Sequence, residues 1–221
     1  MWTVLVSSLL LAGPLEEAHS LEEAGQDAQA ISLLEAAVLK APQQVELRLE
    51  LARLRLKTGD QLQSAQLHLD SARVLAPQDP RPHWLWAALM EEQGKPWEAA
   101  KSLERVLVVK PDHPDARFRV ASLYERLGDP LHAEHHYRRL ARERPDWAVA
   151  RVQLAVVLEN QGRRDAAIQE LEALLALDPD SALGRRKLIE LYERAGLKEK
   201  AAALQALPAE PKLRPLKRSR R

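Results

Sequence analysis

The chain has 221 residues, of which 46% are hydrophobic and 29% are charged, so it can bury a core and keep a hydrated surface. It contains no cysteine, which excludes disulfides, zinc–thiolate sites and cysteine nucleophiles. The net charge of +1 is unevenly distributed, because the C-terminal residues 208–221 contain six basic residues and one acidic residue. This basic tail has three prolines and is predicted to be disordered.

The N-terminal residues 1–13, MWTVLVSSLLLAG, form an apolar segment that is too short to cross a bilayer. Its length is typical of a signal-peptide core, which would make the protein an exported, periplasmic protein of the cell envelope. No Lys or Arg precedes the segment, and cleavage after Ser20 would remove half of the first of the helical repeats described below, each of which is a hairpin of two helices. The alternative is therefore a cytoplasmic protein in which the segment packs on that hairpin, whose first helix is predicted to begin at Pro14.

Glycines recur every 34 or 35 residues along the rest of the chain: Gly25, Gly59, Gly94, Gly128, Gly162 and Gly196. Each ends an apolar-periodic run, where glycine can adopt the left-handed conformation that terminates a helix. Alanines recur on both sides of these glycines, and their small side chains allow two helices to approach closely. Each of the first five units closes with a proline that stops its second helix: Pro42, Pro77, Pro111, Pro145 and Pro179.

The repeat therefore predicts two helices per unit, twelve helices in all and no strand. The six recurring glycines are called the ladder glycines below. Asp60 and Asp129 directly follow two of them and are predicted to cap the second helices of their units. One extra residue separates Gly59 from Ala65, which predicts a looser turn in the second unit.

The fourth unit shows the pattern best, with small, aromatic, turn and proline residues at Ala121, Tyr124, Gly128, Ala133, Tyr137 and Pro145. This pattern resembles the tetratricopeptide repeat (TPR) family. The resemblance implies an all-α fold, a right-handed α-solenoid superhelix, with units of about 14–42, 43–77, 78–111, 112–145, 146–179 and 180–207. The last unit is truncated. The family's early tryptophan is replaced here by Arg117, Arg151 and Arg185.

The sequence has no phosphate-binding glycine loop, no His-Glu-x-x-His pair and no Gly-x-Ser-x-Gly motif, so we predict neither enzymatic activity nor a cofactor or small-molecule substrate. His132 and His136 are four residues apart and could chelate zinc, but no second ligand pair lies in a matching register. We expect them to be solvated or to line a groove, with no metal site.

The resemblance to TPR proteins implies that one face of each first helix lines a concave groove, which binds a peptide or helix of a partner protein. Ten residues before the ladder glycines lies an apolar row, and three residues before them lies an acidic row. The predicted partner-binding groove consists of Leu49, Trp84, Phe118, Val152, Glu91, Glu125 and Glu159. An amphipathic or basic segment would fit it. Alternatively, Trp84 and Phe118 pack between repeats and the glutamates are ordinary solvated residues.

The predicted function is a protein–protein interaction scaffold, with an assembly factor of the bacterial cell envelope as a narrower interpretation. The alternative is binding of nucleic acid or an anionic membrane through the basic tail. The helices of the body mix charges of both signs and form no basic stripe, which argues against this alternative.

Overall fold

The computed structural model describes residues 2–207, with side chains from Gly13 onward, and this range contains twelve α-helices and no strand. The first helices of the six hairpins are α1 (Trp2–Glu23), α3 (Val45–Thr58), α5 (Pro80–Glu92), α7 (Pro114–Arg126), α9 (Ala148–Asn160) and α11 (Ala182–Arg194). The second helices are α2 (Asp27–Lys40), α4 (Leu62–Leu75), α6 (Pro96–Val109), α8 (Pro130–Glu143), α10 (Arg164–Leu177) and α12 (Lys198–Gln205). The predicted all-α hairpin architecture is confirmed within this range. The basic tail lies outside the described residues.

The chain divides into two compact units, Met1–Ala116 and Arg117–Arg221, with the boundary in the first turn of α7. Helices α1 to α6 belong to the first unit, and α8 to α12 belong to the second. The first unit thus contains three hairpins, and the second contains two hairpins together with α8 and most of α7. About three stacked repeats are needed to bury the apolar faces of neighbouring hairpins.

The turns within the hairpins depend on the glycine ladder. All six ladder glycines have φ between 69° and 78°, a conformation that carries a steric cost for residues with a Cβ. The alanines that recur seven residues before and about five residues after the ladder glycines are buried. Each closing proline lies two residues after the last residue of a second helix. These features confirm the roles predicted for glycine, alanine and proline.

Two local predictions about helix starts are corrected. Helix α1 begins at Trp2 and contains Pro14, so Pro14 does not begin it; the residues before Pro14 include several leucines and an alanine, which favour helix. Asp129 caps α8 by accepting a hydrogen bond from the backbone N–H of His132 at 3.2 Å. Asp60 does not cap α4, because the extra residue Gln61 occupies the cap position with a left-handed φ of 50°.

Three arginines connect successive hairpins: Arg151 and Arg185, which replace the family's early tryptophan, and Arg48, which lies in the same register eleven residues before Gly59. Arg48 donates from Nε to the carbonyl of Pro42 at 2.8 Å, and Arg185 donates from Nη2 to the carbonyl of Pro179 at 2.9 Å. Arg151 makes a similar bond to the carbonyl of Ala141 at 3.2 Å. A guanidinium in the first turn of one hairpin therefore satisfies a carbonyl near the end of the preceding hairpin. Ala141 lies in the last turn of α8, whereas Pro42 and Pro179 lie in the turns that follow α2 and α10.

We predict that Gly128→Ala destabilises the protein by about 1 kcal/mol or more, because alanine must adopt a left-handed φ of 74° at this turn. Gly128→Asn should lose less, since asparagine tolerates this conformation better. Urea denaturation followed by circular dichroism measures both changes. Equal losses in the two variants would contradict the backbone explanation, because a Cβ at Gly128 meets no atom within 4 Å.

Candidate functional site

The first unit contains a pocket of about 370 Å³ whose lining comes only from the first helices of three successive hairpins. Its residues are Leu15 and His19 of α1, Glu46, Leu49, Glu50 and Arg53 of α3, and Arg81, Trp84 and Leu85 of α5. Most of them lie thirteen, ten or six residues before a ladder glycine, offsets that share one helix face. The structure therefore brings Leu49 and Trp84 of the predicted groove together.

The floor of this pocket is apolar and is only partly covered. Leu49 is 6% exposed, so it supports the floor from below and does not project into solvent. Leu15, Trp84 and Leu85 are half-buried. The Trp84 indole stacks on the His113 imidazole with 5.3 Å between ring centroids and 14° between planes. This contact holds the indole in one orientation while part of it remains accessible.

The rim of the pocket is charged, and its charges are paired with one another. Arg81 Nη2 lies 3.3 Å from Glu46 Oε1, and Arg53 donates from Nε to both oxygens of Glu50 at 3.1 Å. His19 Nε2 lies 3.0 Å from Glu50 Oε1. The rim therefore carries both signs of charge and offers polar partners to a ligand without a strong net field.

The acidic row is largely engaged within the protein. Glu159 pairs with Lys187 at 3.3 Å and with Arg194 at 2.8 Å. Burial alone would raise the pKa of Glu159, but the hydrogen bonds from Arg194 and Lys187 outweigh it and lower the pKa. Glu22, in the same register, binds Arg53 and Lys57 of the next first helix.

The middle of the acidic row is partly buried. Burial raises the pKa of Glu125, although the Tyr137 hydroxyl donates to its Oε2 at 3.5 Å. Glu91 is half-buried and also interacts within the protein. The structure does not present the acidic row as unpaired carboxylates, and this corrects the interpretation of these residues as ordinary solvated glutamates.

In the second unit, the predicted groove residue Phe118 is half-buried and packs on two aromatic side chains. Phe118 stacks on Trp147 with 5.3 Å between ring centroids and meets Tyr137 edge-on at 5.5 Å. Val152 is buried. The Trp84–His113 and Phe118–Trp147 pairs have the same separation of 29 residues. Trp147 lies at a helix start, from which a packing role is predicted, and its stacking on Phe118 agrees with that prediction. The sequence analysis missed the packing role of His113, which the shared spacing of 29 residues could have indicated.

Comparison with models of protein families identifies the same helical repeat. A family model described as the protein kinase G tetratricopeptide repeat matches residues 3–180, and a second tetratricopeptide repeat model matches residues 152–212. The chain belongs to the tetratricopeptide repeat family. A comparison of this TPR chain with curated proteins finds no match.

Solved TPR structures share the fold at low sequence identity. A TPR protein from Parabacteroides merdae has a TM-score of 0.68 and 21% identity, covering 89% of this chain and 77% of that chain. A structure of MamA has a TM-score of 0.66 and 17% identity, covering 91% and 98%. YrrB, described as a TPR protein with an unusual peptide-binding site, has a TM-score of 0.62 and 20% identity, covering 77% and 88%. The predicted all-α TPR solenoid is confirmed.

The histidine pair of this TPR protein lies beside Tyr124. The rings of His132 and His136 stack on Tyr124 with centroid distances of 4.9 and 5.9 Å. His132 is exposed and bonds Asp129, whereas His136 is buried, so the expectation that both histidines are solvated is wrong for His136. Among the residues whose side chains are described, no group of three or more His, Asp or Glu could hold a metal ion.

No helix in the described part of the chain is long and apolar enough to cross a membrane.

The ion pairs of Glu22 in the acidic row should make the stability of the protein depend on pH. Hydrogen bonds from Arg53 and then Lys57 lower the pKa of Glu22 from 4.5 to about 2. A carboxyl whose pKa is lowered by folding stabilises the folded state above its ordinary pKa, and this stabilisation is lost as the pH falls toward its folded pKa. We predict that Glu22→Gln lowers the free energy of unfolding by about 1 kcal/mol at pH 7.

The difference between Glu22→Gln and the unsubstituted protein should shrink between pH 4.5 and about 2, as measured by urea denaturation. Glu16→Gln is the control, because Glu16 is exposed on the same helix and makes no ion pair among the described residues. A difference that stays constant over this pH range would show that the ion pairs of Glu22 do not contribute.

Proposed function

We propose that this TPR protein is a non-catalytic interaction scaffold that binds a segment of another protein in the pocket formed by α1, α3 and α5. The observation that carries this proposal is the half-buried Trp84 indole, set among leucines in a pocket built from three first helices. Tryptophan in such a setting is the residue type most often found to dominate binding energy. Two solved structures with the same fold support this proposal: YrrB has a peptide-binding site, and Naa15/Naa10 is bound to HypK.

The floor favours an apolar side chain of the ligand. A volume of about 370 Å³ lies at the small end of the range for ligand pockets, which is roughly 300 to 1,000 Å³. One or two apolar residues of a helix or an extended segment can therefore enter it, with the rest of the segment lying across the rim. Recognition by a few apolar anchors from a peptide is a common mode of groove binding.

The charged residues at the rim of the pocket can orient the ligand through polar contacts. A carboxylate of the ligand can accept from Arg81 or Arg53, and an amine can approach Glu46 or Glu50. Each such contact replaces an existing ion pair, so the net gain in free energy is small. We infer that apolar contacts provide most of the affinity and that the rim sets orientation. The basic residues that the sequence predicts for the partner thus have a smaller role.

A role in assembly at the cell envelope is a narrower proposal. It depends on residues 1–13 acting as an export signal, as their length and apolar composition suggest. Sequencing the N-terminus of the protein purified from its native cells tests it. Cleavage within the first 20 residues would support export, and an intact Met1 would exclude a cleaved signal.

The binding proposal is tested with peptides selected from a random display library against the folded protein. Trp84→Ala should weaken the selected peptides about tenfold or more, because it removes the large apolar surface of the pocket. Trp97→Ala is the matched control, since Trp97 is 45% exposed at the start of α6 and does not line the pocket. Its affinity should stay within about twofold of the unsubstituted protein.

Isothermal titration calorimetry gives the affinities, and thermal unfolding of each variant shows whether the fold is kept. Phe118→Ala should mainly lower the melting temperature, because Phe118 packs on Tyr137 and Trp147. Selected peptides that bind Trp84→Ala as tightly as the unsubstituted protein would contradict the proposed site.

A further inference from the structure

The outward face of α8 carries a stripe of basic residues that the groove does not use. His135, Arg138 and Arg142 form this stripe, and the apolar Leu131 lies at its N-terminal end; the four positions are spaced by four, three and four residues, so they lie along one side of the helix. The stripe is about 16 Å long from the helical rise of these positions. Ala133, Tyr137 and Leu140 occupy the opposite, buried side. The charges of α8 are mixed in sign, as the sequence predicts, but its arginines outnumber its two glutamates.

Two further arginines widen this stripe into a shallow depression of about 510 Å³. Arg139 follows Arg138 in α8, and Arg163 comes from the turn that precedes α10 in the next hairpin. Folding thus brings arginines from two hairpins of the second unit to one surface. The sequence alone does not place Arg163 there.

The local carboxylates are already saturated by arginines. Glu134 is buried and accepts from Arg163 Nη1 at 2.7 and 2.9 Å, and it also pairs with Arg138. Glu143 lies 2.7 Å from Arg139 Nε and 3.4 Å from Arg117 Nε. Arg142 is exposed and takes part in no ion pair among the described residues. The surface therefore has an excess of positive charge, with Arg142 available to an incoming anion.

We propose that this face of α8 is a second docking surface, which binds an acidic helical segment of a partner protein. Carboxylates spaced by one helical turn would meet Arg142 and Arg138, since a guanidinium offers two parallel donors to a carboxylate. An apolar residue at one end of the same segment would cover Leu131, which is 71% exposed. The partner is thus an amphipathic helix with Asp or Glu one turn apart and a single apolar anchor.

A nucleic acid fits this surface less well. The excess charge is small for a polyanion, because two carboxylates already neutralise part of the arginines. The stripe contains no Phe, Tyr or Trp on which an unpaired base could stack. The exposed leucine at its end matches a protein side chain and not a phosphate backbone.

The test uses the full-length protein and a fluorescein-labelled 16-residue helical peptide with Glu residues one turn apart and one terminal Leu. We expect binding in the micromolar range by fluorescence anisotropy, weakened about tenfold by Arg142→Glu and by a rise in salt from 50 to 300 mM. Arg142→Lys keeps the charge but loses the planar fork, so it should have an intermediate effect.

Arg186→Glu on α11 is the matched control, because Arg186 is also exposed and makes no ion pair among the described residues. It changes the net charge by the same amount and should leave affinity within about twofold. Any attraction of the peptide to the basic tail is shared by both variants, so their difference reports on α8. Leu131→Ala should also weaken the peptide, whereas Trp84→Ala should not, which separates this surface from the pocket of the first unit.

Several results would overturn the proposal. One is equal affinity of the peptide for the Arg142→Glu and Arg186→Glu variants. Another is an absence of binding at millimolar peptide. A third is a single-stranded oligonucleotide of equal charge that binds more tightly than the peptide and loses that affinity in Arg142→Glu, since the surface would then be a nucleic-acid site.

Discussion

The close approach of helices at buried alanines is the constraint on which the rest of the structure depends. Ala18 and Ala52 in first helices, and Ala30 and Ala65 in second helices, are fully buried. A larger side chain at any of them would separate the helices and open the packing on both sides. The left-handed glycine turns reverse the chain within a few residues, so each hairpin can present these alanines to its neighbours. Within each unit, the first helices then lie beside one another, as the pocket of α1, α3 and α5 shows for the first unit.

Charges reinforce this stacking and limit what the binding surfaces can offer. Arg48, Arg151 and Arg185 bond carbonyls at the ends of preceding hairpins, and Glu22 and Glu159 pair with basic residues of following ones. Carboxylates used in this way stabilise the array and are less available to a partner. The pocket of the first unit consequently depends on its apolar floor, while α8 has more arginines than its two glutamates can pair.

The sequence predicts the repeat well because its signals are local. Gly128 ends α7 and Pro145 follows α8 for reasons of backbone conformation that hold in any surroundings. It predicts exposure less well, because burial depends on the neighbouring hairpin. Leu49 and Val152 share the register of Trp84 but are buried. Their covering by neighbouring repeats cannot be read from one helix.

Charge pairing has the same non-local origin. Glu159 meets Lys187 and Arg194, which lie 28 and 35 residues later in the chain. A spacing close to one repeat suggests such a pair, but only the stacked structure shows which of the possible partners is within reach. The basic surface on α8 likewise requires Arg163 from the next hairpin, so a helix-by-helix inspection of the sequence overlooks it.

Methyl NMR spectroscopy of the leucine-labelled protein, with and without a peptide selected for binding, tests the central claim most directly. The claim is that the pocket of α1, α3 and α5 receives an apolar side chain of the ligand. It predicts the largest chemical-shift changes at Leu15, Leu49 and Leu85, which line the pocket. Leu39 on α2 and Leu177 on α10, both exposed on second helices, should stay unchanged. Shifts at Leu39 or Leu177 with no change at Leu15, Leu49 and Leu85 would contradict the claim.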